Sequence, residues 1–235
     1  MDDLTKITPD QLVYYTWGPF KLSATIVFTW GLMAFMVLGS WLATRKLRTD
    51  ATVSRWQVLL EMVVETIRDQ IYEITRQPPR RYLPFVGTLF LYIAVANALT
   101  IVPGYIPPTA SLSTAAALAI CVFIAVPVFG LLAEGPGTYF RHYISPSPLM
   151  LPFNIIGELS RTLALAVRLF GNVMSGMKVV GIMVAVAPLL FPIFLRLLGL
   201  LTGLVQAYIF AVLAAVYIAS GTRAQQRTRD QEDKE

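Results

Sequence analysis

The chain is poor in charge, and that scarcity excludes most soluble folds. Only 14% of its 235 residues are charged and 56% are apolar, with a mean hydropathy of +0.62. An ordinary soluble domain is roughly 25% charged and 45–50% apolar. There is one cysteine, Cys121, inside an apolar run, so no internal disulfide can form and small apolar filler is its expected role. There is one histidine, His142, so catalysis or metal binding by paired histidines is excluded. No G-x-x-x-x-G-K-[ST] and no metal-ligand cluster occur, so no nucleotide site, cofactor or metal is expected. Internal repeats and low-complexity tracts are also absent. The net charge of +5 does not point to nucleic acid, because the basic residues sit in short segments flanking apolar runs.

The apolar runs predict an all-α integral membrane protein, a single domain with the lipid bilayer as its solvent. Five transmembrane helices are expected at about 22–43, 82–102, 113–132, 155–185 and 192–220. The last two exceed the roughly 20 residues that a perpendicular helix needs, which implies that they are long and tilted. Between the first and second spans, residues 52–76 carry Trp56, Leu59, Leu60, Val63, Ile67, Ile71 and Ile74 at helical spacing. Glu61, Glu65, Arg68, Asp69 and Glu73 take other positions. This is an amphipathic surface helix. The first span is read as retained, since Asp2, Asp3 and Asp10 stand where a signal peptide has basic residues. The basic flanks Arg45, Lys46 and Arg48, and later Arg223, Arg227 and Arg229, predict an outside N-terminus and a cytoplasmic C-terminus. The surface helix is then cytoplasmic, and the charge-free Pro103–Pro108 turn extracytoplasmic.

The second scarcity is of acid. Between Glu158 and Asp230 there is no aspartate or glutamate, and the first three spans have none. Yet Arg168 lies near the middle of the fourth span. On a helix it shares a face with Arg161, Ala164, Gly171, Asn172 and Ser175, a narrow polar and small-residue stripe about 21 Å long. An intramembrane arginine costs about 2.5–3.5 kcal/mol on insertion scales, so it is normally paired or hydrated. Its partner here is a water-filled cavity, backbone carbonyls or another polypeptide. Arginine stays charged whatever passes it, so it repels cations and captures carboxylates but relays no proton. On the last span Gly199, Thr202, Gly203, Gln206 and Phe210 share one side, with Tyr217 further along. The glycines admit close backbone approach, and a buried Gln206 needs water, a neighbouring helix or Arg168 as its partner. A secondary transporter with Arg168 on an anionic substrate is the competing class, but it calls for paired repeats and broken helices. A voltage sensor calls for more arginines at regular spacing.

The run Arg168-Leu169-Phe170-Gly171-Asn172, preceded by Glu158-Leu159-Ser160-Arg161 and followed by Gln206-Ala207-Tyr208-Ile209-Phe210, resembles subunit a of the membrane sector of F-type ATP synthases. Pro148-Leu149-Met150-Leu151-Pro152 extends the resemblance, which covers nearly all of the chain. It implies a non-catalytic stator in a bacterial plasma (inner) membrane. The implied partners are the rotating c-ring subunits, whose carboxylate would answer Arg168, the b subunits of the peripheral stalk and, indirectly, the F1 sector. It also implies an ion pathway, proton or sodium, for which Asn172, Gln206, Ser175, Asn97 and Ser111 are the expected residues. The surface helix is a membrane anchor or a docking face for the stalk. The chain departs from well-known proton-translocating members at three positions. Ser111 stands where they have an aspartate, and Met177 and Gly199 fall on their channel glutamate and histidine positions. Lys178 and Arg196 are expected to snorkel or touch lipid.

Overall fold

The computed structural model describes residues 13–17, 20–45, 55–75, 79–102, 104–134, 150–187 and 191–232. Lys46, Arg48, Gln77, Pro78, Pro103, the loop with His142, and Pro188 lie outside them. Six α-helices account for nearly all of the described residues: α1 (Ala24–Thr44), α2 (Arg55–Thr75), α3 (Leu83–Ala98), α4 (Leu112–Glu134), α5 (Met150–Val186) and α6 (Phe191–Glu232). Five of them, all but α2, are long and apolar enough to cross a membrane. Helices suit that solvent because every backbone hydrogen bond closes within the segment. A short antiparallel hairpin, β1 (Val13–Trp17) and β2 (Phe20–Ser23), precedes α1, with Trp17 opposite Phe20. It was not expected, although its aromatic and β-branched residues favour strands.

The apolar windows of α5 and α6 run over 35 and 29 residues, about 52 and 43 Å, against a hydrocarbon core of about 30 Å. Such helices lie steeply inclined in a bilayer or reach beyond it. Pro152 and Pro192 fall within the first turns of α5 and α6, where a missing N–H breaks no helical bond, so neither interrupts its helix.

The core is built where α3, α4, α5 and α6 meet. Leu89 and Ile93 of α3, Ala115 and Ala119 of α4, Leu165 and Leu169 of α5, and Ala207, Phe210 and Ala214 of α6 pack together. Alanines at this many contacts allow the backbones to approach closely, the main source of helix association in lipid. A second cluster fixes the amphipathic helix to the bundle: Ile71 of α2 packs with Val86 of α3 and Ala215 and Ile218 of α6. Its charged residues Glu61, Glu65, Arg68, Asp69 and Glu73 all stay exposed. Helix α1 joins mainly at its start, through buried Ala24 and Thr25, and at Leu32; Phe28 meets Tyr105 edge-on, ring centroids 5.3 Å apart.

Phe210 is fully buried, so Phe210→Ala is expected to cost about 3–5 kcal/mol. That should appear as a lower thermal inactivation midpoint of the detergent-solubilised assembly. Leu197→Ala, at a site 60% exposed, is expected to stay within about 0.5 kcal/mol of the parent.

Candidate functional site

Arg168 lies 16 residues after Pro152 and 18 before Val186, so about 24 and 27 Å of helix separate it from the two ends of the apolar window. One face of α5 buries Leu165, Ala166, Leu169 and Val173 in the bundle. The packing of that face turns the stripe outward: Arg161, Ala164, Arg168, Gly171 and Ser175 are all exposed, and Asn172 is half-buried at its edge. Among the described residues Arg168 makes no hydrogen bond and no ion pair, whereas on α2 Arg68 contacts both Glu65 and Asp69. Arg161, two turns away, has its guanidinium 5.6 Å from the centre of the half-buried Tyr217 ring, which is a cation–π contact.

Two amides tie the helices together behind this stripe. Asn172 Nδ2 donates to the Thr202 carbonyl at 3.2 Å, joining α5 to α6. Asn97 Nδ2 donates to the next carbonyl, that of Gly203, at 3.0 Å, joining α3 to α6. Gly203 is required here, since a Cβ on it would stand 2.9 Å from Asn97 Cγ. A Cβ on Gly199 would meet nothing within 4 Å, so only one of the two glycines serves close approach. Gln206, one turn beyond Thr202, is buried, and its Nε2 has no partner among the described residues.

Next to the two amides lies a cavity of about 320 Å³ between α3, α5 and α6. Asn97, Thr100, Tyr105, Asn172 and Arg196 are among the polar residues on its wall, and Met177 and Gly199 line it as well. Among the described residues on its wall there is no acid and no histidine. Thr100 donates its hydroxyl to the Asn97 carbonyl at 2.6 Å. Tyr105 Oη has no partner among the described residues, and burial together with the nearby Tyr92 phenol pushes its pKa above the ordinary value of 10.

Residues 26–219 match the family model described as ATP synthase A chain. The chain belongs to that family. It is 58% identical over 218 residues to ATP synthase subunit a of Albidiferax ferrireducens, covering 93% of this chain and 94% of that protein. It is 56% identical over 220 residues to ATP synthase subunit a 2 of Acaryochloris marina, 94% of each chain. With ATP synthase subunit a 1 of Chlorobaculum parvum it shares 54% over 222 residues, 94% of this chain and 98% of the other. As an ATP synthase A chain it is a multi-pass membrane protein and the ion-translocating subunit of the complex's membrane sector.

In this ATP synthase A chain the expected site residues are not all together. Asn97 and Asn172 share the cavity, and Gln206 lies one helical turn past Thr202, whose carbonyl Asn172 holds. Ser175 is on the exposed stripe with its hydroxyl on the Asn172 carbonyl at 3.1 Å. Ser111 is fully buried, 2.6 Å from the Ser113 hydroxyl, and is not on the cavity wall. Thr100, Tyr105 and Arg196 were missed as cavity residues; the tyrosine in a Pro/Gly turn was the available signal for one of them.

Gly203→Ala should disturb helix packing and cost about 1–3 kcal/mol, read as a lower yield and thermal midpoint of assembled complex. The pair Gly203→Ala with Asn97→Ala should cost less than the sum of the single changes, because the second removes the atoms that the new Cβ meets.

Proposed function

We propose that this chain is the non-catalytic stator that passes ions to and from a rotating ring of subunits, each carrying a membrane carboxylate. The observation that carries this reading is Arg168, a permanent cation at mid-span, exposed on the bundle surface with no acid beside it among the described residues. A carboxylate on a neighbouring polypeptide supplies the counter-charge that this chain lacks. Beside a guanidinium the carboxylate's charged form is favoured, so an arriving acid gives up its proton, or its sodium ion, at that point. The guanidinium cannot itself lose a proton and it repels cations, so it separates two aqueous half-channels and blocks a direct leak between them. Coupling ion flow to ATP synthesis, or running it backwards by hydrolysis, follows from the ring's rotation past this barrier.

The cavity at Asn97 and Asn172 is the half-channel on the extracytoplasmic side in this reading. Asn172 is one turn from Arg168, about 6 Å along the helix. Three buried polar atoms without protein partners among the described residues, Tyr105 Oη, Thr109 Oγ1 and Gln206 Nε2, support ordered water along the approach. Met177 and Gly199 bring no titratable group to the cavity, so entry relies on water, amides and hydroxyls, with either proton or sodium as the ion. Ser175 and Gln206 sit to either side of the meeting point, and Ser111 supports the extracytoplasmic turn. The N-terminus is outside and the C-terminus in the cytoplasm of a bacterial plasma membrane, with α2 on the cytoplasmic side beside the b subunits of the stalk, and the F1 sector engaged indirectly.

Arg168→Ala is expected to abolish ATP-driven ion pumping in membrane vesicles while the complex still assembles; coupled pumping at the parent rate would overturn the reading. Tyr105→Phe is expected to leave the pH profile of pumping unchanged below pH 10. The sign is fixed by the raised pKa: the phenol is already neutral throughout that range, so removing it removes no titration. Stimulation of the whole complex's ATPase activity by sodium at neutral pH identifies sodium as the coupling ion, and indifference to sodium identifies the proton.

A further inference from the structure

Away from Arg168, a groove of about 300 Å³ runs between α2 and the transmembrane helices α3 and α6. Helix α2 contributes Met62 and Ile74, α3 contributes Phe90, and α6 contributes Val212 and Ala215. The hydroxyls at its wall are already used. Tyr208 donates to Gln70 Oε1 at 2.7 Å, and Thr66 donates to the Met62 carbonyl at 2.8 Å. The walls therefore offer an occupant little besides dispersion and escape from water, the terms that select hydrocarbon. Between Met62 and Ile74 the groove follows α2 for about 18 Å, comparable to the roughly 15 Å depth of one bilayer leaflet.

A charge pair lies beside it. Arg80 and Arg81 form the 3-10 turn between α2 and α3, immediately before the segment that carries groove residue Val86. Both are exposed, and neither makes an ion pair among the described residues. The acids of α2 do not neutralise them: Glu65 and Asp69 engage Arg68, and Glu61 and Glu73 are exposed to solvent. Adjacent arginines at the edge of an apolar seat suit an anionic headgroup whose tail occupies that seat.

We infer that the groove holds one acyl chain of an anionic phospholipid whose phosphate lies against Arg80 and Arg81. The lipid fills the gap between the surface helix and α6 beside the Tyr208–Gln70 bond, and so braces the helix that carries Gln206. This inference does not depend on the ion pathway.

The test uses the whole complex in nanodiscs of phosphatidylcholine with a minor share of phosphatidylglycerol, followed by native mass spectrometry of the released chain. The parent is expected to retain one phosphatidylglycerol. Arg80→Gln with Arg81→Gln should lower that retention by roughly an order of magnitude. Thr66→Trp should lower it with both arginines intact, by filling the groove. The double arginine variant changes only exposed residues, so it keeps the test decisive if Thr66→Trp does not assemble. Retention of phosphatidylcholine in proportion to its abundance would overturn the proposal, as would equal phosphatidylglycerol retention in parent and arginine variant. A photoreactive residue at position 66 that labels a polypeptide instead of lipid would also overturn it.

Discussion

A guanidinium held near the middle of an apolar helix, with no acid to meet it among the described residues, is the constraint on which the rest of this molecule depends. Retaining such a charge costs several kcal/mol unless something outside the helix answers it. The fold keeps Arg168 out of its own core: Leu165, Leu169 and Val173 take the packing contacts, and the cation is left on the opposite face. A bundle that buried it would have needed an acid on α3, α4 or α6, and their spans contain none. The exposed stripe of small residues around it, Ala164, Gly171 and Ser175, leaves room for another helix to come close.

The same helix is anchored from behind by groups without charge. Asn172 and Asn97 hold consecutive carbonyls of α6, so the spacing of α3, α5 and α6 is set by two hydrogen bonds and by the missing side chain of Gly203. In a low-dielectric surrounding such bonds are strong, and leaving either amide unpaired would be costly. They also leave a cavity a turn away from the arginine, with Asn97, Thr100, Tyr105, Asn172 and Arg196 among otherwise apolar and glycine lining. In the proposed pathway, cations cross that cavity without a fixed acid, which leaves ion choice to the ring carboxylate and its surroundings.

Much of this was legible in the sequence because lipid makes simple demands. Uninterrupted apolar runs mark the helices, and the switch to helical periodicity with charges marks α2. Arg168 was legible for the same reason, as a charge in a segment that should have none. What was not legible depends on which helices meet. Nothing in the spacing of α6 distinguishes Gly203, pressed against Asn97, from Gly199, which faces open space. Gln206 was expected to bond to water, a neighbouring helix or Arg168, and which of these its Nε2 meets could not be read from spacing; among the described residues it has no protein partner. Arg196 was expected to snorkel or touch lipid; that this exposed residue also borders the cavity was not legible, because its position relative to α3 is a tertiary property. The hairpin before α1 was passed over because five residues of strand propensity carry little weight beside a long apolar run, although the Gly18-Pro19 pair between Trp17 and Phe20 is a turn signal.

The central claim is that the Arg168 stripe faces the carboxylate-bearing helix of a ring. Cysteine cross-linking in native membranes tests it most directly, with single cysteines at Ala164, Gly171 and Ser175, and at the buried Leu165 as control, each paired with cysteines along the ring helix in a Cys121→Ser background. The account predicts disulfides from the three stripe positions, with the ring carboxylate level with Arg168, and none from Leu165. Absence of cross-links from all three stripe positions, in complexes that remain assembled and form them from another face of the chain, would contradict it.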